Sequence, residues 1–119
     1  MSRSGEQIEA LRRAMAREVA PSSDFDLNPE TVLPPNRKLR PAGVLAAFLP
    51  GENGLELLLT KRSSRLKHHP GQIAFPGGKV DPVDDGPVDA ALREAHEEVG
   101  LPREAVELLG TMAPHETVT

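Results

Sequence analysis

Ile8, Leu11, Met15 and Val19 recur at three- and four-residue intervals, the repeat of one face of a helix. That spacing predicts an amphipathic helix over 5–19, with a packing or capping role. The period is lost from Pro21 to Pro41, where Pro, Asn and Asp accumulate, and this stretch reads as a linker wrapping the surface. Apolar runs return at 42–49 and 55–61, separated by Pro50-Gly51-Glu52-Asn53-Gly54. An Asn-Gly pair between two such runs predicts a hairpin. A short strand is expected at 73–75, a helix at 87–99 with Pro87 in its first turn, and a last strand at 105–112. On the second helix Ala91, Leu92, Ala95 and Val99 form the predicted core stripe, whose small alanines allow close approach to a sheet. The order places the chain in the α/β class and divides it into 1–41, helix and linker, and 42–119, the domain proper.

Composition narrows the function classes. A chain of 119 residues is one domain at most, and a formal net charge of −4 argues against a general nucleic-acid binder. There is no cysteine, hence no disulfide framework and no thiolate chemistry. No apolar run approaches the roughly 20 residues of a membrane span, and the N-terminus lacks an apolar signal core. The expected setting is the reducing cytoplasm, with no membrane partner. Twelve prolines and three aromatic residues predict a loop-rich chain with a thin core.

The chemistry is concentrated in the second helix. Glu94, Glu97 and Glu98 stand at i, i+3 and i+4, on one helical face. Alone, such a triplet is more often a solvated acidic face. Its surroundings argue otherwise: Arg93 can hold a carboxylate bidentately and fix its rotamer, Gly100 sits where a C-cap glycine belongs, and Gly77-Gly78 let backbone approach a bound ion. Stacked carboxylates repel unless a cation sits over them. A hard divalent ion, Mg²⁺ or Mn²⁺, suits oxygen ligands of this kind and is usually shared with substrate phosphates. Upstream, Lys61, Arg62, Arg65 and Lys67, with His68 and His69, form a basic run without an acid. Beside a carboxylate–metal centre, such a run would receive a negative substrate.

These residues resemble the Nudix hydrolases, whose box is a glycine, five residues, a glutamate, seven residues, then R-E-U-x-E-E-x-G-U, with U aliphatic or small. Arg93, Glu94, Ala95, Glu97, Glu98, Gly100 and Leu101 fill the second part. The first part departs from it: Asp84 stands where glutamate is expected, but eight residues rather than seven separate it from Arg93, and Asp85 restores the seven-residue gap only by lengthening the first. The segment LLTKRSSRLKHHPGQIAFPGG, residues 58–78, is similar to the signature of the coenzyme A diphosphatase branch through Leu58, Leu59, Thr60, Arg62, Ser63, Gly71, Phe75, Pro76, Gly77 and Gly78. Lys67 stands where arginine is expected, which keeps the charge but loses the bidentate fork.

The resemblance implies a Nudix-type α/β/α sandwich on a mixed sheet, incomplete at its C-terminal end because the branch carries more strands and a closing helix after the box. It implies Glu94, Glu97, Glu98 and the Gly77 carbonyl as ligands of Mg²⁺ or Mn²⁺; Glu94, Glu98 and Arg93 as catalytic groups; and Arg62, Arg65, Lys67, Thr60 and Ser63 as substrate contacts. His115, Glu116 and Thr117 fall where the family has a substrate-facing loop. The implied reaction cleaves the diphosphate of coenzyme A to 4′-phosphopantetheine and adenosine 3′,5′-bisphosphate, with a homodimer left open. The alternatives are hydrolysis of ADP-ribose, a dinucleotide or a dNTP, and a non-catalytic nucleotide-binding module.

Overall fold

The computed structural model describes residues 3–17, 22–23, 39–61 and 71–116. Helix α1 spans Arg3–Met15, starting two residues before and ending four residues before the expected 5–19. Val19 and most of the expected linker lie outside the described residues. The strands are β1 (Ser22–Ser23), β2 (Ala42–Val44), β3 (Phe48–Gly51), β4 (Gly54–Leu57), β5 (Thr60–Lys61), β6 (Ile73–Ala74), β7 (Gly77–Lys79) and β8 (His115–Glu116); helix α2 spans Pro87–Val99. The α/β class expected from the sequence is the one observed.

Each of the two long apolar runs changes partner midway, which is why each appears as two short strands. β2 pairs antiparallel with β7, Gly43 opposite Gly78, and the Leu45 N–H then donates to the Pro76 carbonyl at 2.8 Å. From Phe48 onward the chain pairs instead with β4, closing a hairpin at Gly51 and Gly54 around Glu52-Asn53. The Asn-Gly signal thus lies at the predicted turn, and Gly54 takes a positive φ of 121°. The second run leaves the hairpin after Leu57, and β5 pairs with β6, Thr60 opposite Ala74. A parallel contact between β1 and β8 makes the strand pairing mixed.

The expected strand at 105–112 is not formed. A 3-10 turn occupies Arg103–Ala105, closed by the Val106 N–H on the Arg103 carbonyl at 3.2 Å, and the backbone runs on without a strand until His115. Gly110 at φ 156° interrupts the extended run, and no edge among the described residues pairs with it. Apolar residues such as Leu108 and Met112 are consequently exposed. Hydropathy supplied the pattern of a strand here, but ladder hydrogen bonds were needed to make one.

α2 packs on β2 and β7, and its contact face is narrower than predicted. Ala90, Ala91 and Ala95 are buried, whereas Leu92 is half-buried and Val99 is 37% exposed. Ala90 therefore replaces Val99 in the core stripe. Substituting small side chains for large ones brings helix and sheet close together. A Cβ built on Gly43 would lie 1.9 Å from the Pro87 carbonyl oxygen, so only glycine admits the first turn of α2 at this spot.

Gly43→Ala is therefore expected to lower unfolding free energy by about 2–3 kcal/mol, because backbone rather than a flexible side chain must move. Denaturant titration checks this; a midpoint unchanged from the parent would contradict the close contact.

Candidate active site

α2 is held at both ends by backbone geometry. Pro87 occupies its first turn, where a missing N–H costs no helix bond, and the Asp89 carboxylate accepts the Asp85 N–H at 3.0 Å. At the other end Gly100 adopts the left-handed conformation, φ 70°, and donates to the His96 carbonyl at 3.0 Å. Asp89 is also ion-paired to Arg103, which ties the turn after α2 to its first turn. The carboxylate-bearing helix is consequently fixed in extent, Pro87 to Val99, as the sequence predicts.

Arg93 organises the acids around it. Its Nε donates to Asp84 Oδ1 at 2.9 Å and its Nη2 to Asp84 Oδ2 at 3.0 Å, a bidentate pair. Nη1 lies 3.3 Å from Glu94 Oε1 and 3.3 Å from both Glu97 oxygens, while Nη2 reaches the Lys79 carbonyl at 3.4 Å and Asp81 Oδ2 at 3.4 Å. One guanidinium thus bridges the loop before α2, the end of β7 and two of the three glutamates. Asp84 is positioned for this by a local turn: its N–H donates to the Asp81 carbonyl at 2.9 Å, and its Oδ2 accepts the Asp81 N–H at 2.8 Å. The eight-residue gap between Asp84 and Arg93 therefore does not separate them, and Asp84 rather than Asp85 meets the arginine.

The electrostatics follow from these contacts. Hydrogen bonds from Arg93, then the Asp81 N–H, hold the Asp84 carboxyl below its ordinary value of 3.8, outweighing the opposing cost of desolvation. Its side chain is only 1% exposed, but the hydrogen bonds that cover it come from donors that favour the charged form. Arg93 is correspondingly pushed up, first by the hydrogen bond to Asp84.

The remaining predicted residues divide clearly. Glu94 leans over β7, where a Cβ on Gly78 would come within 2.9 Å of its Oε1. Glu94, Glu97, Glu98 and the Gly77 carbonyl are an oxygen-only donor set, which in chemistry suits a hard divalent ion. Glu97 and Glu98 are exposed, and among the described residues no three acidic or His side chains already converge as a complete cation site. Thr60, at the end of β5, donates its hydroxyl to the Ala74 carbonyl at 3.2 Å, so it braces β5 against β6. Arg62, Ser63, Arg65, Lys67 and Thr117 lie outside the described residues. His115 and Glu116 form β8 and pair with β1. Sequence reasoning left the first acid of the box unassigned between Asp84 and Asp85, and the Asp81 turn that decides it is a backbone feature with no spacing signal of its own.

Residues 39–119 match the family model described as the NUDIX domain. Curated relatives include proteins named "Uncharacterized Nudix hydrolase NudL" from Enterobacter sp. (strain 638), 59% identical over 63 residues, and from Escherichia coli (strain K12), 56% identical over 63 residues. Each alignment covers 53% of this chain and 33% of the relative. A third, from Yersinia enterocolitica, is 59% identical over 58 residues, covering 49% of this chain and 30% of that protein. The chain thus spans about a third of the length of the curated relatives it matches.

Because the folded pKa of Asp84 is depressed, the stability it contributes is fully present above 3.8 and is lost as pH falls through the lower folded value. Asp84→Asn is expected to be less stable than the parent by a constant margin from pH 5 to pH 8, and the margin should shrink below pH 3.8. Thermal melts across that range check it. A margin that widened with acid would contradict the assigned pair.

Proposed function

The chain belongs to the Nudix family, and on that premise we propose that it is a metal-dependent hydrolase of nucleoside diphosphate derivatives whose substrate is coenzyme A. Its small mixed strand pairings and the helices α1 and α2 are consistent with the Nudix α/β/α sandwich. The observation that carries the reading is the Asp84–Arg93–Glu94/Glu97 array on a helix lying against Gly77–Gly78. The narrower choice of coenzyme A rests on the 58–78 segment and its basic residues.

Nudix hydrolases generally use divalent ions such as Mg²⁺ or Mn²⁺. In this chain Glu94, Glu97, Glu98 and the Gly77 carbonyl would hold the ion, which when bound supplies charge neutralisation at the diphosphate and a more acidic water. Arg93 restricts Glu94 and Glu97 to one side of α2, reducing the rotamer entropy lost when they take a ligand. Glu94 or Glu98 accepts the proton of the attacking water. The water oxygen bonds to phosphorus, the bridging P–O bond breaks, and its electron pair leaves on the second phosphate. Arg62, Arg65 and Lys67, with the Thr60 and Ser63 hydroxyls, hold the substrate's phosphates, including the 3′-phosphate that lies away from the reacting bridge. Thr60, already bonded to Ala74, contributes by fixing the base of that segment. Residues 42–119 carry this chemistry and 1–41 lead into it, in a cytoplasmic setting without nucleic-acid partners; a homodimer is compatible with it. Among the described residues no helix is long and apolar enough to cross a membrane.

Incubated with coenzyme A and Mg²⁺ or Mn²⁺, the protein is expected to release 4′-phosphopantetheine and adenosine 3′,5′-bisphosphate. Hydrolysis of ADP-ribose, a dinucleotide or a dNTP in place of coenzyme A would overturn the substrate but keep the chemistry. Tight nucleotide binding without hydrolysis would overturn both. Glu98→Gln should reduce turnover to background while circular dichroism and melting temperature stay near the parent's; a variant keeping most of its activity would contradict the assigned helix face.

A further inference from the structure

α1 lies outside the residues that match the family model, yet it touches two separate parts of the domain. At its N-terminal half Gln7 Oε1 accepts the Leu55 N–H at 2.7 Å, and Arg3 Nη1 donates to the Asn53 carbonyl at 3.1 Å. Gly54 lies between them, and a Cβ there would come 2.6 Å from Gln7 Oε1 and 2.9 Å from Arg3 Cδ. The helix therefore grips the hairpin turn by its backbone, and only a glycine turn admits it so closely.

The C-terminal half meets the stretch that follows α2. Arg12 Nη2 lies 2.5 Å from Glu107 Oε1, while its Nε stays 3.4 Å from Glu9 Oε1 on the same helix. One turn on, Met15 packs on Gly110, where a Cβ would stand 3.2 Å from Met15 Cβ. The two ends differ in kind. Hydrogen bonds to backbone at the hairpin are short-range, whereas the Arg12 and Glu107 side chains are 44% and 69% exposed, so their attraction is screened by salt.

We propose that α1 is a two-ended clasp, anchored on the β3–β4 turn through Arg3 and Gln7 and latched to the 107–110 segment by the Arg12–Glu107 pair. The anchor persists as ionic strength rises, while the latch opens and releases the stretch after α2 without unfolding α2 itself. What passes along that stretch reaches β8, so the clasp sets how tightly the chain following the site helix is held to the hairpin. It is independent of the substrate assigned above.

The chain has no cysteine, which permits a direct test. Cβ atoms of disulfide partners stand about 3.5–4.5 Å apart, so the 3.2 Å from Met15 Cβ to a Cβ on Gly110 needs a separation of only a few tenths of an ångström to fit. A Met15→Cys/Gly110→Cys variant of the full chain should therefore close a disulfide under mild oxidant. Adding Arg12→Gln or Glu107→Gln should slow closure about two- to fivefold at low salt, and about 1 M NaCl should slow the otherwise unsubstituted pair by a similar factor while erasing the effect of either substitution. Because Gly110 has φ 156°, where a side chain is strained, amide exchange in the cysteine-free chain gives a second reading. Gln7→Ala should speed exchange of the Leu55 amide about fivefold, with α2 amides unchanged. Failure of the disulfide to form together with an unaltered Leu55 amide in Gln7→Ala would overturn the clasp. So would closure rates indifferent to salt and to both charge substitutions, or equal acceleration of α2 and Leu55 exchange, which would make α1 a contributor to global stability only.

Discussion

A single guanidinium decides how the acidic part of this domain is arranged. Arg93 is the common neighbour of Asp84, Asp81, Glu94, Glu97 and the Lys79 carbonyl, and without it the loop, the strand end and the glutamates would share only repulsion. Its bidentate grip on Asp84 uses the two donors that an arginine fork presents in parallel, leaving Nη1 for the glutamates. Lysine, a point charge on a flexible stem, would hold one of these partners and lose the rest. The arrangement is thus one of orientation as much as of charge balance.

That grip depends in turn on how closely α2 approaches β2 and β7. Gly43 beneath Pro87 and Gly78 beneath Glu94 remove the side chains that would hold the helix away, and Ala90, Ala91 and Ala95 do the same from the helix side. Small residues facing small residues bury little apolar area, so the contact is close without contributing much hydrophobic stabilisation. Hydrogen bonds and the Arg93 network accordingly carry a larger share of holding the site together than in a domain with a large core. Exposed Val44, Ile73 and Phe75 belong to the same picture of a thin interior.

Much of this was legible in the chain before any coordinates. α2 was readable to the residue because Pro87, the Arg-Glu cluster and Gly100 mark its ends and its face by local chemistry. The hairpin was readable for the same reason, through Asn53-Gly54. What the pattern missed was non-local. The runs at 42–49 and 55–61 look like single strands, and only the hydrogen-bond partners, Pro76 for Leu45 and Ala74 for Thr60, divide them. The stretch at 105–112 has the hydropathy of a strand and no neighbour to pair with among the described residues. Within the site, the spacing singled out Arg93 and the glutamates but could not choose between Asp84 and Asp85, since that choice is made by a turn at Asp81. Val99 was misplaced because helical periodicity alone does not say how wide the buried face is.

The proposed divalent-cation site comprises Glu94, Glu97 and Glu98, and Arg93, paired with Asp84, orients Glu94 and Glu97 within it. Titration of Mn²⁺ into the protein, followed by electron paramagnetic resonance of the free ion, tests it most directly and needs no substrate. Replacing all three glutamates with glutamine is expected to abolish binding at that site, and Asp84→Asn to weaken it about tenfold, in the range typical of groups that orient metal ligands. Mn²⁺ affinity unchanged by the triple substitution would contradict it.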